Sequence, residues 1–262
     1  MLYQLPSPVK PSPQPHSSCA PIVPGGLNIV NRDAVVRQRA EWVRQFPAFH
    51  NLTAAECAEI LAAAHEKKIP RREIIFREGA PCRQVLLVLS GSIKATQVGP
   101  TGCEVILRLR GPGELVGALG PYLGTNNWVT ASATQATTAL VWDAATFESL
   151  SGRYPSLRRN TIQLLEHRLR ELEERFREVS TQKVPSRLCS QLVRMCNQVR
   201  PYTNGLLEIN LSREELAQLT GTTLFTVSRF LSKWQKLGIV RIRREAVVVR
   251  NLQALTRMSE AE

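Results

Sequence analysis

The 262-residue chain carries a net charge of +12, a pI near 10.0 and 43% hydrophobic residues. That length leaves room for two compact domains and a linker with ordinary buried cores, and the basic excess points to a polyanionic partner. No apolar run approaches the ~20 residues of a membrane span and no charged start leads into a secretory apolar stretch, so the expected compartment is the cytoplasm, with no membrane partner.

In chain order, Met1 to about Leu27 holds Pro6, Pro8, Pro11, Pro13, Pro15, Pro21 and Pro24 with few large apolar residues. Such a stretch buries too little surface to offset its ordering entropy, so residues 1–30 are expected to be a disordered tail. From Asn31 to about Lys68 the apolar spacing is helical, through Val35, Val36, Trp42, Val43, Leu52, Cys57, Ile60, Leu61 and Ala64. After Pro70 the period changes. EIIFREG, VLLVLSGSIKAT, EVILRLRGPGELVG and TALVWD read as short strands between Gly and Pro turns, at the spacing of a small sandwich or barrel over residues 69–145. With its flanking helices this module spans 31–152.

Phe147 to Leu150 then reads as a helical turn, and Pro155 suits the first position of a longer helix. Ile162, Leu165, Leu169, Leu172, Phe176 and Val179 recur at steps of three and four, a seam flanked by charged residues. Such a one-sided seam on a helix joining two domains (153–182) wants a partner helix; packing on the chain's own strand module is the competing reading, and a parallel homodimer contact is preferred. His167 falls outside the seam. Pro185 starts a further helix, Arg187 to Val199, followed by a loop from Arg200 to Gly205.

The run Leu211 to Val240 reads as two short helices joined by a tight turn. Ser212 stands three residues before Glu215, a capping box that starts the first helix, and Gly221 suits the left-handed residue that ends it. Thr222 or Thr223 caps the second helix, whose Val227, Phe230, Leu231 and Trp234 share one face. The opposite face carries Leu224, Phe225, Ser228, Arg229 and Lys233. That face is suited to a DNA major groove, where an arginine donates two bonds to guanine O6 and N7. After Gly238 two alternating runs around Arg244 and Glu245 read as a hairpin, a wing that places Arg241, Arg243, Arg244 and Arg250 beside phosphates. Residues 183–262 hold 13 Lys and Arg against 6 Asp and Glu, a net of +7 of the chain's +12.

A strand module, a dimer helix and a winged helix-turn-helix in this order resemble the Crp/Fnr family of bacterial transcription regulators, over roughly residues 45–255. The motifs that carry the resemblance are G-x-x-x-x-x-V-L-L-V-L-S-G-S-I-K from Gly79, G-E-L-V-G from Gly113, L-S-G-R-Y-P-S-L-R from Leu150 and T-V-S-R from Thr226. The last two place it nearer the Fnr-like branch. The resemblance implies an α+β chain: a cyclic-nucleotide-binding-like β-roll of double-stranded jelly-roll type, a long dimerisation helix and a C-terminal winged helix-turn-helix. It further implies a homodimer that reads a two-fold operator and recruits or blocks RNA polymerase.

The chain departs from the family at two places. The cyclic-AMP receptor supplies a Glu after the second Gly of the G-E-L-V-G motif and a later Arg-Ser pair for the cyclic phosphate. Here Gly117 is followed by Ala118, the later stretch is Asn126-Asn127-Trp128-Val129, and no Arg or Lys occurs between Arg110 and Arg153. A phosphate without a cation is uncompensated, so cyclic AMP is not expected as cofactor. An iron-sulfur cluster is not expected either, because the tail has only Cys19. In the reading helix the family's usual Glu, three residues before the Ser, is replaced by Phe225. Carboxylate readout is lost, while apolar contact with a thymine methyl remains. The expected DNA contacts are then Arg229 to guanine, Thr223, Leu224, Phe225, Thr226, Ser228 and Lys233 around it, and Ser212, Arg213, Arg241, Arg243 and Arg244 toward backbone.

The signal stays open. An apolar pocket from Leu115, Val116, Gly117, Ala118 and Leu119 beside the dimer helix is one expectation; haem on His50 or His65, or a redox switch at Cys82 or Cys103, are others. The six cysteines (Cys19, Cys57, Cys82, Cys103, Cys189, Cys196) stand singly, with no C-x-x-C pair, and are expected as free thiols. No metal-spaced cluster, P-loop or Ser/His/Asp order appears, so no catalytic residue and no enzyme activity is expected. A cyclic-nucleotide-binding regulatory subunit, or a haem- or redox-sensing regulatory protein, is the alternative to a DNA-binding regulator.

Overall fold

The computed structural model describes residues 32–117, 126–198 and 207–260. The Pro-rich tail, Ala118 and Leu119, and the loop after residue 198 lie outside them. Helices α1 (Arg32–Val43) and α2 (Ala54–Ala62) precede eight strands: β1 (His65–Ile69), β2 (Ile74–Phe76), β3 (Gln84–Ser90), β4 (Ile93–Val98), β5 (Glu104–Arg110), β6 (Leu115–Gly117), β7 (Thr130–Ala133) and β8 (Thr137–Asp143). Helices α3 (Ala144–Arg153), α4 (Pro155–Thr181) and α5 (Val184–Gln198) follow. The C-terminal part is β9 (Leu207–Ile209), α6 (Arg213–Thr220), α7 (Leu224–Lys236), β10 (Val240–Ile242), β11 (Val247–Val249) and α8 (Leu252–Glu260).

The eight strands form two antiparallel sheets, β1-β8-β3-β6 and β2-β7-β4-β5. Strand β3 shows why its sequence is a continuous apolar run. Leu86 and Val88 point between the sheets, where they meet Ile69, Ile93, Ala131 and Val141. Val85, Leu87 and Leu89 point the other way, onto Phe49, Ile60, Trp142, Phe147 and Leu157 beneath the helices. A strand buried on both faces has no polar side to alternate with. The VLLVLSGSIKAT run divides into β3 and β4 at Gly91 (φ 87°), where a Cβ would stand 2.4 Å from Thr137 Oγ1.

Three boundaries differ from those read in the sequence. The helical reading extended to about Lys68, but the helix ends at Ala62 and His65–Ile69 is an edge strand paired with Val141–Thr137. Its mixed charges suit an edge and hide the strand period. Strand β7 is TASA, whose small residues give no hydrophobic signal; pairing on both sides, with β2 and β4, makes it a strand. The helical turn at Phe147–Leu150 is a ten-residue helix.

Helix α4 begins at Pro155 and runs for 27 residues. Its first turns dock on the β-roll, where Leu157 is buried and Asn160 Nδ2 donates to Ala48 O (3.1 Å) and His50 O (2.7 Å). Its last turns are tied to α5: the buried Glu178 carboxylate accepts two 2.7 Å bonds from Arg194. The C-terminal core gathers Leu188, Leu192, Ile209, Leu216, Val227, Leu231, Trp234, Val247 and Leu255, and Ile106 of β5 is buried in the same cluster. The helix-turn-helix unit thus rests directly on the β4–β5 arm of the roll.

Candidate nucleic-acid interface

The capping chemistry of the sequence reappears in the geometry. Ser212 Oγ accepts from Glu215 N (3.1 Å) while Glu215 Oε2 accepts from Ser212 N (2.9 Å), closing the capping box of α6. Gly221 adopts φ 62° and ψ 47°, the left-handed residue that turns the chain between helices. Thr223 caps α7, its Oγ1 accepting from Thr226 N at 3.2 Å.

Val227, Leu231 and Trp234 anchor the inner face of α7, which fixes what the outer face shows. Phe225 is 75% exposed and Leu224 49%. Two large apolar side chains held in water at a helix start cost free energy unless something covers them. Arg229 is exposed too, its guanidinium carbon 5.1 Å from the centroid of the Phe230 ring, an arrangement that limits its freedom. Lys233 is exposed one turn on and Ser228 is half-buried. The Thr223 and Thr226 hydroxyls lie 3.0 Å apart and hydrogen-bond each other, so they serve the cap first.

The wing is three-stranded, in the order β10-β11-β9. Arg241 and Arg244 are exposed on it, and Arg213 is exposed at the start of α6. Arg243 is not free: both oxygens of Glu208 accept from its Nη1, at 3.0 and 2.7 Å. At the wing tip Glu245 accepts from Arg71 and, at 3.3 Å, from Arg72, both in the β1–β2 turn. The Arg71 guanidinium holds the Glu245 carboxyl below its ordinary value. Sequence reasoning missed this bridge, whose partners stand 174 positions apart.

The expected effector-pocket residues fall differently. Leu115 and Val116 are buried on opposite faces of β6, one in the helix-side cluster and one between the sheets, because neighbouring strand residues point to opposite sides. Gly117 pairs with Val85, and Ala118 and Leu119 lie outside the described residues. Asn127 braces its own loop: its Nδ2 donates to Ala80 O (3.0 Å) and Pro81 O (3.3 Å), and its Oδ1 accepts from Cys82 Sγ (3.3 Å). His50, His65 and Cys103 are exposed, and among the described residues no group of His, Cys, Asp or Glu is arranged to hold a metal ion. Also among them, no helix is long and apolar enough to cross a membrane.

Residues 66–154 match the cyclic nucleotide-binding domain and residues 186–258 the Crp-like helix-turn-helix domain. A cyclic AMP receptor protein of Thermus thermophilus is 30% identical over 209 residues, which are 80% of this chain and 94% of the relative. The chain belongs to the Crp/Fnr family. A CRP-like cAMP-activated global transcriptional regulator of Mycobacterium tuberculosis is 24% identical over 211 residues, 80% of this chain and 94% of that one. The solved structure of FixK2 from Bradyrhizobium japonicum shares the fold with a TM-score of 0.68 at 24% identity, covering 76% of this chain and 98% of that one. Like its Crp/Fnr relatives, the chain joins a β-rich cyclic-nucleotide-binding-type domain, a long helix and a helix-turn-helix DNA-binding domain.

Proposed function

We propose that the chain is a sequence-specific transcription regulator that binds two-fold DNA operators as a homodimer, under a signal other than a cyclic nucleotide. The observation that carries this reading is the outer face of α7: exposed Leu224, Phe225, Arg229 and Lys233 on a helix whose opposite face is locked in the C-terminal core. Arg229 reads guanine and Phe225 covers a thymine methyl, with Ser228, Arg213, Arg241 and Arg244 toward backbone. Residues 31–152 are read as the sensor, 153–182 as the dimer helix and 183–262 as the DNA-binding part; RNA polymerase is the partner on the operator.

The homodimer reading rests on α4. Ile162, Leu169, Leu172, Phe176 and Val179 are 51% to 74% exposed along one side of it, while Leu165 is half-buried against the roll. An unbroken apolar stripe on a helix with a 3-4 repeat is the seam of a two-stranded coil. Gel-shift titration of the purified chain with a selected operator and with unrelated duplex of equal length tests the DNA reading. The operator is bound at least about 10³-fold tighter; equal affinity for both duplexes contradicts it.

A further inference from the structure

One arginine of α4 belongs neither to the apolar stripe nor to the face that meets DNA. Arg175 donates to three backbone carbonyls of its own chain: Nη1 to Leu107 O, and Nη2 to Ile106 O at 3.1 Å and to Leu219 O at 2.8 Å. Two of these carbonyls lie on β5 and the third in the last turn of α6. Among the described residues, the bond to Leu219 is the one hydrogen bond between α4 and α6.

The acceptors are groups that regular structure leaves over. Strand β5 is the outer strand of its sheet, and Leu107 is the extra residue of a bulge, since Ala95 pairs with Arg108 and Thr96 with Ile106. Leu219 is among the last four residues of α6, whose carbonyls have no partner inside the helix, and the negative end of the helix dipole favours a cation there. The planar fork of a guanidinium serves acceptors from two elements at once, which a compact ammonium does less well. Arg175 is half-buried, burial holds it below the ordinary arginine value, and among the described residues no carboxylate stands within 4.0 Å of it. An apolar side chain in such a place serves stability about as well as a charge does; a charge bonded to three carbonyls holds one arrangement of the elements that supply them.

We propose that Arg175 is the positioning residue that decides which operator spacing the protein accepts. It hangs the helix-turn-helix from the dimer helix just before the Gly221 turn, and so fixes how far apart, and at what twist, two α7 helices stand. This rests on the homodimer reading. Leu172 and Phe176 of the apolar stripe flank Arg175 on the same turn of α4, so no flexible length separates the partner contact from the clamp. Ile106 is buried in the core of the DNA-binding part, so β5 moves with α6.

The test is gel-shift titration of the full chain with the palindrome that the parent selects from a random pool, the same sequence with one central base pair added or removed, and a duplex holding a single half-site. One base pair moves a half-site by about 3.4 Å and roughly a tenth of a turn. The parent binds both spacing variants at least about tenfold more weakly than the palindrome. In Arg175→Met that ratio falls to about threefold or less, while affinity for the single half-site stays within about twofold of the parent's, because the α7 face is untouched. Arg175→Lys falls between the two, and decides alone if Arg175→Met shows no cooperative unfolding transition. A loss of half-site affinity that matches the loss on the palindrome shows a merely structural role and overturns the proposal. A parent with no preferred spacing overturns the homodimer reading and this proposal with it, whereas a preference that both variants keep undiminished overturns this proposal alone.

Discussion

In the proposed reading, Arg229 is the residue on which sequence discrimination turns. It stands in water on α7 with its guanidinium over the Phe230 ring and no acidic partner among the described residues, so its donors are free for a base edge. Arg229→Ala is expected to cost about 1–3 kcal/mol on the preferred operator and little on unrelated duplex, read as the ratio of two titrations. Arg241→Ala is expected to weaken both about equally and to lower the salt slope by about 1. The cysteines divide by burial. Burial pushes the thiols of Cys57, Cys189 and Cys196 up to about 11, 12 and 11, so at pH 8 they remain protonated as well as covered. Alkylation of the native protein at pH 8 is expected to reach the exposed Cys103 and to spare these three until denaturant is added; mass spectrometry of the peptides checks this.

At the scale of elements, α4 is proposed to do two jobs along its length, and each can be removed separately. Its apolar stripe is exposed and covered by none of the described residues, so Leu169→Glu with Leu172→Glu is expected to give a monomer by sedimentation and to lose operator affinity with it. Its C-terminal turns are joined to α5 through Glu178 and Arg194. Arg194→Ala strands a buried carboxylate and is expected to cost about 3 kcal/mol in denaturant unfolding.

The elements differ in how legible they were. The capping box at Ser212, Gly221 and the face of α7 were readable because local chemistry sets them within four residues. Strands β1 and β7 were not, one hidden by edge charges and the other by small side chains, because pairing with distant strands defines both. The charge contacts were least legible of all. Arg71 with Glu245, Arg110 with Glu171 and Arg243 with Glu208 join residues 35 to 174 positions apart, and no periodicity marks them. Hence the sequence suggested a free Arg243, where the fold pairs it with Glu208.

For the whole molecule, the basic excess and the domain contacts point the same way. The chain's charge predicts affinity for any duplex that falls steeply with salt, and only the α7 face adds preference among sequences. The DNA-binding part is held to the β-roll through Ile106 in its core, Gln218 Nε2 donating to Glu104 Oε2 at 3.0 Å, Asn210 Nδ2 donating to Gln135 Oε1 at 3.3 Å, and the Glu245 bridge to Arg71 and Arg72. A change of packing at β5 therefore reaches α6 through direct contact, and one at the β1–β2 turn reaches the wing.

The central claim is that two copies of this chain present two α7 helices to one DNA site. The measurement that meets it most directly is selection of bound sequences from a random duplex pool by the purified protein. The account predicts a palindromic motif with a guanine in each half-site and half-site centres about 10 base pairs, or a multiple of that, apart. A single unpaired half-site, or no enriched sequence, would contradict it.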